Sequence, residues 1–139
     1  VSVTATLGPE TTIESTIREH TVYVDQPEAA GGNNKGPSPL EYLMLSLAGC
    51  IGSVGRIIAN QRKIELRGMT VTASGELDAD VLLGKAEGRA GFPAIQLACS
   101  VDADMSTEEK KAFLEEIERR CPVSENLTLT TEVPIRVAS

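Results

Sequence analysis

The most reactive side chains in this 139-residue sequence are three cysteines. Cys50 lies inside the apolar stretch "LSLAGCIGSV", Cys99 lies in "IQLACSVDAD", and Cys121 precedes a proline in "ERRCPVSENL". An odd number of widely spaced cysteines is not the pattern of a secreted disulfide scaffold. The cytoplasm, where free thiols stay reduced, is therefore the expected compartment. There a thiol can act as a nucleophile, bind a metal or pack as a small apolar side chain.

The patterns around Cys99 and Cys50 favour different roles. Cys99 alternates in register with Ile95, Leu97 and Val101, which predicts that it faces the core as a small hydrophobe. Cys50 lies at the margin of an apolar helical stripe, and the small residues around it would let another segment approach its sulfur closely. On the residues alone, Cys50 can be either a core residue or a reactive thiol.

Cys121 is placed where a helix is expected to end, because Pro122 disfavours helical geometry at the residue before it. Arg119 and Arg120 precede it, and cationic neighbours lower the pKa of a thiol. The cysteine could also cap the following turn, "PVSEN", whose amides would favour a thiolate. A buried helix end is the alternative interpretation.

Other site chemistries are poorly supported by the sequence. The chain has one histidine, His20, and no Cys-x-x-Cys pattern, so neither a zinc site nor another metal site is expected. A serine hydrolase would need the same histidine and a G-x-S-x-G turn, which is missing. "GGNNKG" lacks the spacing of a phosphate-binding loop and is interpreted as a turn. No bound cofactor is predicted.

Length and charge limit the possible partners. The chain has the length of a single domain, residues 1–139, and a net charge of −7. Because phosphate binding needs clustered Lys and Arg, nucleic acid is not expected as a partner. No run of eighteen apolar residues occurs, and "VSVTATLGPETT" lacks a basic region followed by an apolar one, so neither a membrane span nor a signal peptide is expected.

The elements that must position these cysteines follow from the apolar periodicity. Alternation predicts strands over 1–7, 11–17 and 20–27, followed by a Gly/Pro/Asn-rich loop over 28–39. A helix should start with Ser38 as N-cap, Pro39 in the first position and Glu41 completing a capping box, and should end near residue 62. This helix has no charge between Glu41 and Arg56. It is therefore expected to be covered on both sides, plausibly by a partner subunit.

In the second half of the chain, alternation predicts strands over 66–77 and 95–104. A turn-rich segment with room for a short strand joins them. A capping box of Ser106 and Glu109 opens an amphipathic helix that runs to Cys121. The end, 127–139, alternates as a strand, with Pro134 indicating an edge position. Strands, a long central helix, a meander, a second helix and a last strand make the class α+β.

Two segments together resemble the OsmC/Ohr family of thiol-dependent peroxidases. They are "GGNNKGPSPLEYLMLSLAGC", with its cysteine eleven residues after Pro39, and "RRCPVSENL" about seventy residues later. The chain looks closest to the less characterised OsmC-like branch. The resemblance implies an OsmC-like fold with antiparallel sheets around a long central helix. It also implies an intertwined homodimer with two active sites at the interface.

The resemblance further implies a mechanism. Cys50 would be the peroxidatic thiolate, oxidised to a sulfenic acid by an organic (alkyl or lipid) hydroperoxide. Cys121 would then resolve it as a disulfide, and an external thiol or dithiol would reduce that bond. The break after the helix would let Cys121 reach the central helix and shift during the cycle.

Glu41 and Arg18 are the remaining candidate site residues. In the family, a glutamate after the helix-start proline and an arginine from the N-terminal strands polarise the attacking thiol. Here Leu40 follows Pro39, Glu41 comes one position later, and Arg18 lies in "STIREH". Glu41 can equally be the capping-box residue, and Arg18 a solvated strand-end charge. The alternative function is a redox-sensing or apolar-ligand-binding homodimer with little peroxidase turnover.

Overall fold

A computed structural model describes residues 1–138. The chain divides into two compact units, the first over residues 1–45 and the second from Ser46 onward. The expectation of one domain over 1–139 stays a prediction. The strands and α-helices in chain order are β1 (Thr6–Leu7), β2 (Ile13–Ile17), β3 (His20–Val24), α1 (Pro39–Arg62), β4 (Gly68–Ser74), α2 (Ala79–Leu82), β5 (Gln96–Asp102), α3 (Thr107–Arg120) and α4 (Pro122–Thr128). A 3-10 turn, Glu28–Ala30, lies in the loop between β3 and α1.

The first unit contains a three-stranded antiparallel sheet in the order β1–β2–β3. Strands β2 and β3 form a tight hairpin in which Ile17 pairs with His20. The predicted strand over residues 1–7 is wrong in its extent, because only Thr6–Leu7 pairs with β2. Before Thr6 the ladder is replaced by a side-chain contact, in which the Ser15 hydroxyl donates to the Thr4 carbonyl at 2.7 Å.

A buried aspartate organises the loop between β3 and α1. Asp25 is 1% exposed, and its own N–H donates to the Pro37 carbonyl at 3.1 Å. Burial alone would raise its pKa, but hydrogen bonds, led by that of Thr12, outweigh this effect and hold the pKa of Asp25 well below its usual value. Its carboxylate accepts two hydroxyl and three backbone N–H donors, from Thr11, Thr12, Gln26, Asn33 and Lys35.

Helix α1 begins as the sequence predicts. The Ser38 N–H donates to Glu41 Oε1 at 3.0 Å, and the Glu41 N–H donates to Ser38 Oγ at 3.2 Å, so the capping box is confirmed. The helix ends at Arg62, and the next residue, Lys63, takes a left-handed conformation with φ of 56°. Both ends of the predicted helix are therefore confirmed.

Helix α1 is apolar over most of its length. It is long and apolar enough to cross a membrane by length and composition, but a core helix of a globular protein passes the same test. One side of the helix is buried in the described chain and carries Leu47, Ile51, Val54, Gly55, Ile58 and Ala59. Leu45, Gly49 and Ser53 on another side are exposed.

The second unit contains the antiparallel pair β4–β5. The predicted alternation is confirmed by the register, in which Met69 pairs with Val101 and Val71 pairs with Cys99. One buried cluster forms the core of this unit and joins the inner side of α1 to β5 and α3. Its members are Ile51, Val54, Ile58, Ala59, Leu66, Val101, Ala103, Phe113, Ile117 and Cys121.

Two segments of the second unit differ from the prediction. The segment between β4 and β5 holds one helical turn, α2, where the sequence left room for a short strand. Asp78 caps this turn by accepting the Asp80 N–H, a local contact that an alternation pattern does not reveal. The strand expected over 127–139 is also wrong for the described residues. Residues up to Thr128 belong to α4, and 129–138 have no regular structure; Ser139 lies outside the described residues.

Candidate active site

Two cysteines that are 71 residues apart in sequence meet in the second unit. The Cys121 thiol donates a hydrogen bond to Cys50 Sγ, with 2.8 Å between the sulfur atoms. The expectation that these two thiols come together is thus confirmed. The expected hinge movement of Cys121 is not needed for this contact, because the sulfur atoms are already adjacent in the structure.

The position of Cys121 follows from the helices on either side of it. Phe113 and Ile117 are the buried residues of α3, and Cys121 continues their stripe one turn later. Its φ of −83° and ψ of 111° are extended, so α3 ends at Arg120, as the following proline predicts. Cys121 then caps α4, accepting the Ser124 N–H at 3.4 Å on its sulfur.

The two cysteines differ in their access to solvent. Cys121 is 1% exposed and belongs to the core cluster. Cys50 packs against the same cluster but keeps part of its surface exposed. A reagent from outside therefore reaches Cys50 first.

The electrostatic environment of Cys121 favours the protonated thiol. Burial raises its pKa, and the hydrogen bond it donates to Cys50 adds to this effect. The backbone N–H groups of Ser124 and Val123 act in the opposite direction but are outweighed. Cys121 therefore holds its proton, while the Cys50 sulfur accepts the hydrogen bond.

The expected lowering of the Cys121 pKa by the two preceding arginines is wrong. The Arg120 guanidinium is engaged elsewhere, donating to Gln61 Oε1 at 3.0 Å and lying 4.0 Å from Glu116 Oε1. It points its charge toward the end of α1 rather than toward the buried sulfur. Burial consequently dominates the pKa of Cys121.

Cys99 occupies the structural position that its pattern predicts. It pairs with Val71 across the β4–β5 ladder and packs, partly buried, against the core cluster. Burial raises the pKa of its thiol, so little thiolate forms near neutral pH. Its environment matches a packing role.

Glu41 and Arg18 both lie in the first unit and have local partners. Hydrogen bonds from the Ser38 backbone, then from the Ser38 side chain, lower the pKa of Glu41 against the effect of burial. Arg18 occupies the β2–β3 turn with φ of 55°, its side chain is 72% exposed, and its guanidinium lies 3.8 Å from Glu19. Their roles as activators of Cys50 stay predictions.

The histidine has surroundings unlike those of a metal ligand. His20 opens β3, is exposed, and has its Nε2 3.5 Å from Glu19 Oε1. Among residues 1–138 no group of three or more His, Cys, Asp or Glu side chains is placed so that it could hold a metal ion.

One contact of the site was predicted from the sequence, and one network of the loop was missed. Cys121 as the cap of the turn after Pro122 is confirmed, because its sulfur accepts the Ser124 N–H. The Asp25 network had no signal in the sequence, because its hydroxyl donors lie 13 and 14 residues earlier in the chain. Only the three-dimensional structure brings those donors to the carboxylate.

Comparison with protein families supports one assignment. The family model described as "OsmC-like protein" matches residues 32–138, which include both cysteines of the pair. A search of curated proteins gave no match.

Solved structures with the same fold come from several bacteria. An OsmC-like protein from Mycoplasma pneumoniae is 22% identical, with a TM-score of 0.80 and coverage of 93% of this chain and 87% of that one. An organic hydroperoxide resistance protein OsmC from Legionella pneumophila is 22% identical, with a TM-score of 0.66 and coverage of 91% and 87%. The organic hydroperoxide resistance protein OhrB of Bacillus subtilis is 23% identical, with a TM-score of 0.62 and coverage of 89% and 87%. At these identities the likeness establishes the fold.

Proposed function

The chain belongs to the OsmC-like protein family, and from this premise we propose that it is a two-cysteine peroxidase that reduces organic hydroperoxides. The observation that carries the proposal is the 2.8 Å separation of the Cys50 and Cys121 sulfur atoms, one partly exposed and one buried. Adjacent thiols of unequal exposure suit a cycle in which one sulfur meets the oxidant and the other closes the disulfide.

In the first step the Cys50 thiolate attacks one oxygen of the hydroperoxide. The O–O bond breaks, Cys50 becomes a sulfenic acid, and the alkoxide leaves with a proton as an alcohol. Cys50 suits this step because it is the exposed member of the pair and its sulfur accepts the hydrogen bond from Cys121.

In the second step the Cys121 thiol attacks the sulfenic sulfur of Cys50. An S–S bond forms, and the sulfenic oxygen leaves as water. Two equivalents of an external thiol, or one dithiol, then reduce the disulfide to restore both thiols. The chain's own residues supply both redox-active sulfurs, so the proposal includes no bound cofactor.

The surroundings of Cys50 support organic rather than inorganic peroxide as the substrate. Helix α1 has no charged residue between Glu41 and Arg56, and the side of the helix next to Cys50 is apolar. An alkyl or lipid chain gains free energy when it leaves water for such a surface. The Legionella and Bacillus proteins of the same fold are both described as organic hydroperoxide resistance proteins.

A homodimer is part of the proposal. The outer side of α1 presents exposed Leu45, and a Cβ added at Gly49 or Gly52 would have no neighbouring atom within 4 Å. The end of the chain also exposes an alternating apolar row, Val133, Ile135 and Val137. A second copy would cover such surfaces. We also place the protein in the cytoplasm, where thiol reductants regenerate the pair.

A second candidate function is a redox sensor or an apolar-ligand-binding homodimer with little turnover. The observation that favours it is that both expected activators have other partners. Glu41 closes the α1 capping box, and Arg18 is exposed beside Glu19. Charged groups engaged with such local partners would polarise a thiol less, and oxidation of Cys50 would then be slow.

One experiment separates these functions. The reduced protein is treated with cumene hydroperoxide, peroxide consumption is followed with dithiothreitol present, and disulfides are mapped by mass spectrometry. Rapid Cys50–Cys121 linkage with sustained consumption is expected. Linkage without sustained consumption would favour the sensor, and oxidation with no preference over Cys99 would mean that the pair is only packed. A Cys50→Ser variant is the matched control and should consume no peroxide.

A further inference from the structure

The unequal burial of the two sulfurs also bears on how their disulfide is reduced. Cys121 is 1% exposed and is surrounded by core residues that include Phe113 and Ile117. Cys50 retains exposed surface. An incoming thiol therefore meets two sulfur atoms that are chemically equivalent but belong to residues of very different burial.

We infer that the reducing thiolate attacks the Sγ atom of Cys50, and that Cys121 leaves as a thiolate received by the backbone N–H of Ser124. This inference rests on the proposed two-cysteine function and adds the direction of its last step. It gives Cys50 two opposite tasks, as nucleophile toward the peroxide and as electrophile toward the reductant.

Access decides between the two directions. A thiolate attacks a disulfide sulfur from the side opposite the bond that breaks, and its rate depends on access to that sulfur. Attack on Cys121 would need a path through the core cluster in which this residue is buried. Attack on Cys50 needs only the part of its surface that is already exposed.

One property of Cys121 as a leaving group opposes attack at Cys50, and another favours it. Burial raises the pKa of Cys121, and a sulfur with a high pKa is a poorer leaving group. The Ser124 N–H, 3.4 Å from the sulfur, partly compensates by donating to the charge that forms. Since a closed path stops attack altogether while a raised pKa only slows it, access determines the outcome.

The electron balance of the step is simple. The reductant RS⁻ forms a bond to Cys50 Sγ, the Cys50–Cys121 bond breaks, and its electron pair goes to Cys121, which takes up a proton. A second thiolate attacks the sulfur of the reductant in the mixed disulfide, RSSR forms, and Cys50 returns as a thiolate. Two thiols are oxidised, and one protein disulfide is reduced.

Mapping the mixed disulfide tests the inference. The Cys50–Cys121 disulfide is prepared with diamide, so the test does not depend on turnover with hydroperoxide. It is mixed with excess 2-mercaptoethanol, quenched in acid within milliseconds, blocked with N-ethylmaleimide and digested. Mass spectrometry should find mercaptoethanol on Cys50 and maleimide on Cys121, in excess of the reverse pattern by at least about tenfold.

The possible outcomes distinguish the two proposals. Mercaptoethanol equally or mainly on Cys121 would overturn the inference and leave the peroxidase proposal intact. Mercaptoethanol on Cys50 in a protein that consumes no hydroperoxide would support the inference and reject the peroxidase. If diamide forms no Cys50–Cys121 disulfide, both fail.

A pair of variants tests the role of the Ser124 amide. Ser124→Pro removes the N–H, whereas Ser124→Ala keeps it and removes only the hydroxyl. The first reduction step should slow by about fivefold or more in Ser124→Pro and change less than about twofold in Ser124→Ala, because only the proline removes the donor to the leaving sulfur. Equal rates in both variants would overturn the role of the amide. If Ser124→Pro does not fold, the mapping of the mixed disulfide decides alone.

Discussion

The carboxylate of Asp25 accepts a hydrogen bond of 2.7 Å from the Thr12 hydroxyl, and Asp25 is almost completely buried. The remaining donors to this carboxylate are also neutral hydroxyl and backbone N–H groups. A buried anion is tolerated there because hydrogen bonds to the charged form replace its hydration. The loop that leads into α1 is therefore tied to a single ionised side chain.

Replacing Asp25 by Asn should destabilise the protein. The amide nitrogen would face donors where the carboxylate oxygen accepts, leaving buried N–H and O–H groups without a partner. We expect the urea midpoint at pH 7 to fall by on the order of 1 M. Asp78→Asn is the matched control, since Asn also caps a helix well, and it should change little. An equal effect of both variants would contradict the role assigned to Asp25.

The same residue predicts a pH dependence. The pKa of Asp25 is lower in the folded protein than in the unfolded chain, so its contribution to stability is complete above the unfolded value of about 3.9. That contribution is lost as pH falls below this value toward the folded pKa. Urea unfolding from pH 6 to pH 3 should show a steeper loss of stability in the wild type than in Asp25→Asn. Parallel curves would show that this carboxylate does not carry the acid sensitivity.

Removing Cys121, the thiol proposed to resolve the sulfenic acid, should change the product of oxidation. In Cys121→Ser no sulfur lies beside Cys50 to close a disulfide, so its sulfenic acid persists and meets more peroxide. We expect about one equivalent of peroxide to be consumed quickly, followed by sulfinic acid on Cys50. Intact-mass spectrometry over time follows the added oxygen atoms. Cys99→Ser, which keeps the pair, should form the disulfide like the wild type.

The three thiols should differ in their rates of alkylation. Cys50 is partly exposed, whereas burial raises the pKa values of both Cys121 and Cys99 and leaves little thiolate near neutral pH. Iodoacetamide at pH 7.5 should therefore label Cys50 faster than either by about tenfold or more. Labelling of Cys121 and Cys99 should accelerate as pH rises toward their raised pKa values. In urea the three rates should converge, and faster labelling of Cys121 in the folded protein would contradict the burial argument.

Helix α1 packs closely against its neighbours at Gly55. A Cβ added there would lie 2.6 Å from Met69 Sδ and 3.2 Å from Ile117 Cδ1. Overpacking typically costs about 1–3 kcal/mol, and the gain in helix propensity from Ala is roughly 1 kcal/mol. Because Met69 Sδ lies near the end of a flexible side chain that can move aside, the cost should fall toward the lower end of its range. Gly55→Ala should therefore lack the stabilisation of about 1 kcal/mol that helix propensity alone would give.

Gly49→Ala on the same helix is the matched control, since no atom lies within 4 Å of the added Cβ. In a single chain it should stabilise by about 0.5–1 kcal/mol. A loss of stability together with a smaller mass by light scattering would instead show that a second copy packs on this side of α1. A loss of stability in Gly49→Ala with no change in mass would contradict both interpretations.

Much of the local structure could be predicted because its signals are local. The capping boxes of Ser38 with Glu41 and of Ser106 with Glu109 each span four consecutive residues, and each marks the start of a helix. The Cys-Pro dipeptide fixes the end of α3 in the same way. The alternation of β4 and β5 predicted core-facing residues, and this is confirmed for Met69, Val71, Cys99 and Val101, which lie in or against the core cluster. It is wrong for Leu97, which is exposed.

The parts that could not be predicted depend on partners distant in sequence. Residues 1–5 and 129–138 have strand-like alternation but find no continuous partner strand among the described residues. The predicted pKa of Cys121 is wrong because the Arg120 guanidinium beside it in sequence binds Gln61 instead, whereas the burial that dominates this pKa arises from α1 and α3 together. The pairing of its sulfur with Cys50 was suggested only by the family resemblance.

Cys121 ends one helix and caps the next, so its backbone is anchored from both directions. The position of a side chain held in this way cannot change without a change in the backbone bend between α3 and α4. Any substitution that alters the angle between α3 and α4 would also move the sulfur relative to Cys50. Substitutions in this region are therefore restricted by the need to keep the Cys50 and Cys121 sulfur atoms aligned. This restriction extends to residues that contact neither sulfur.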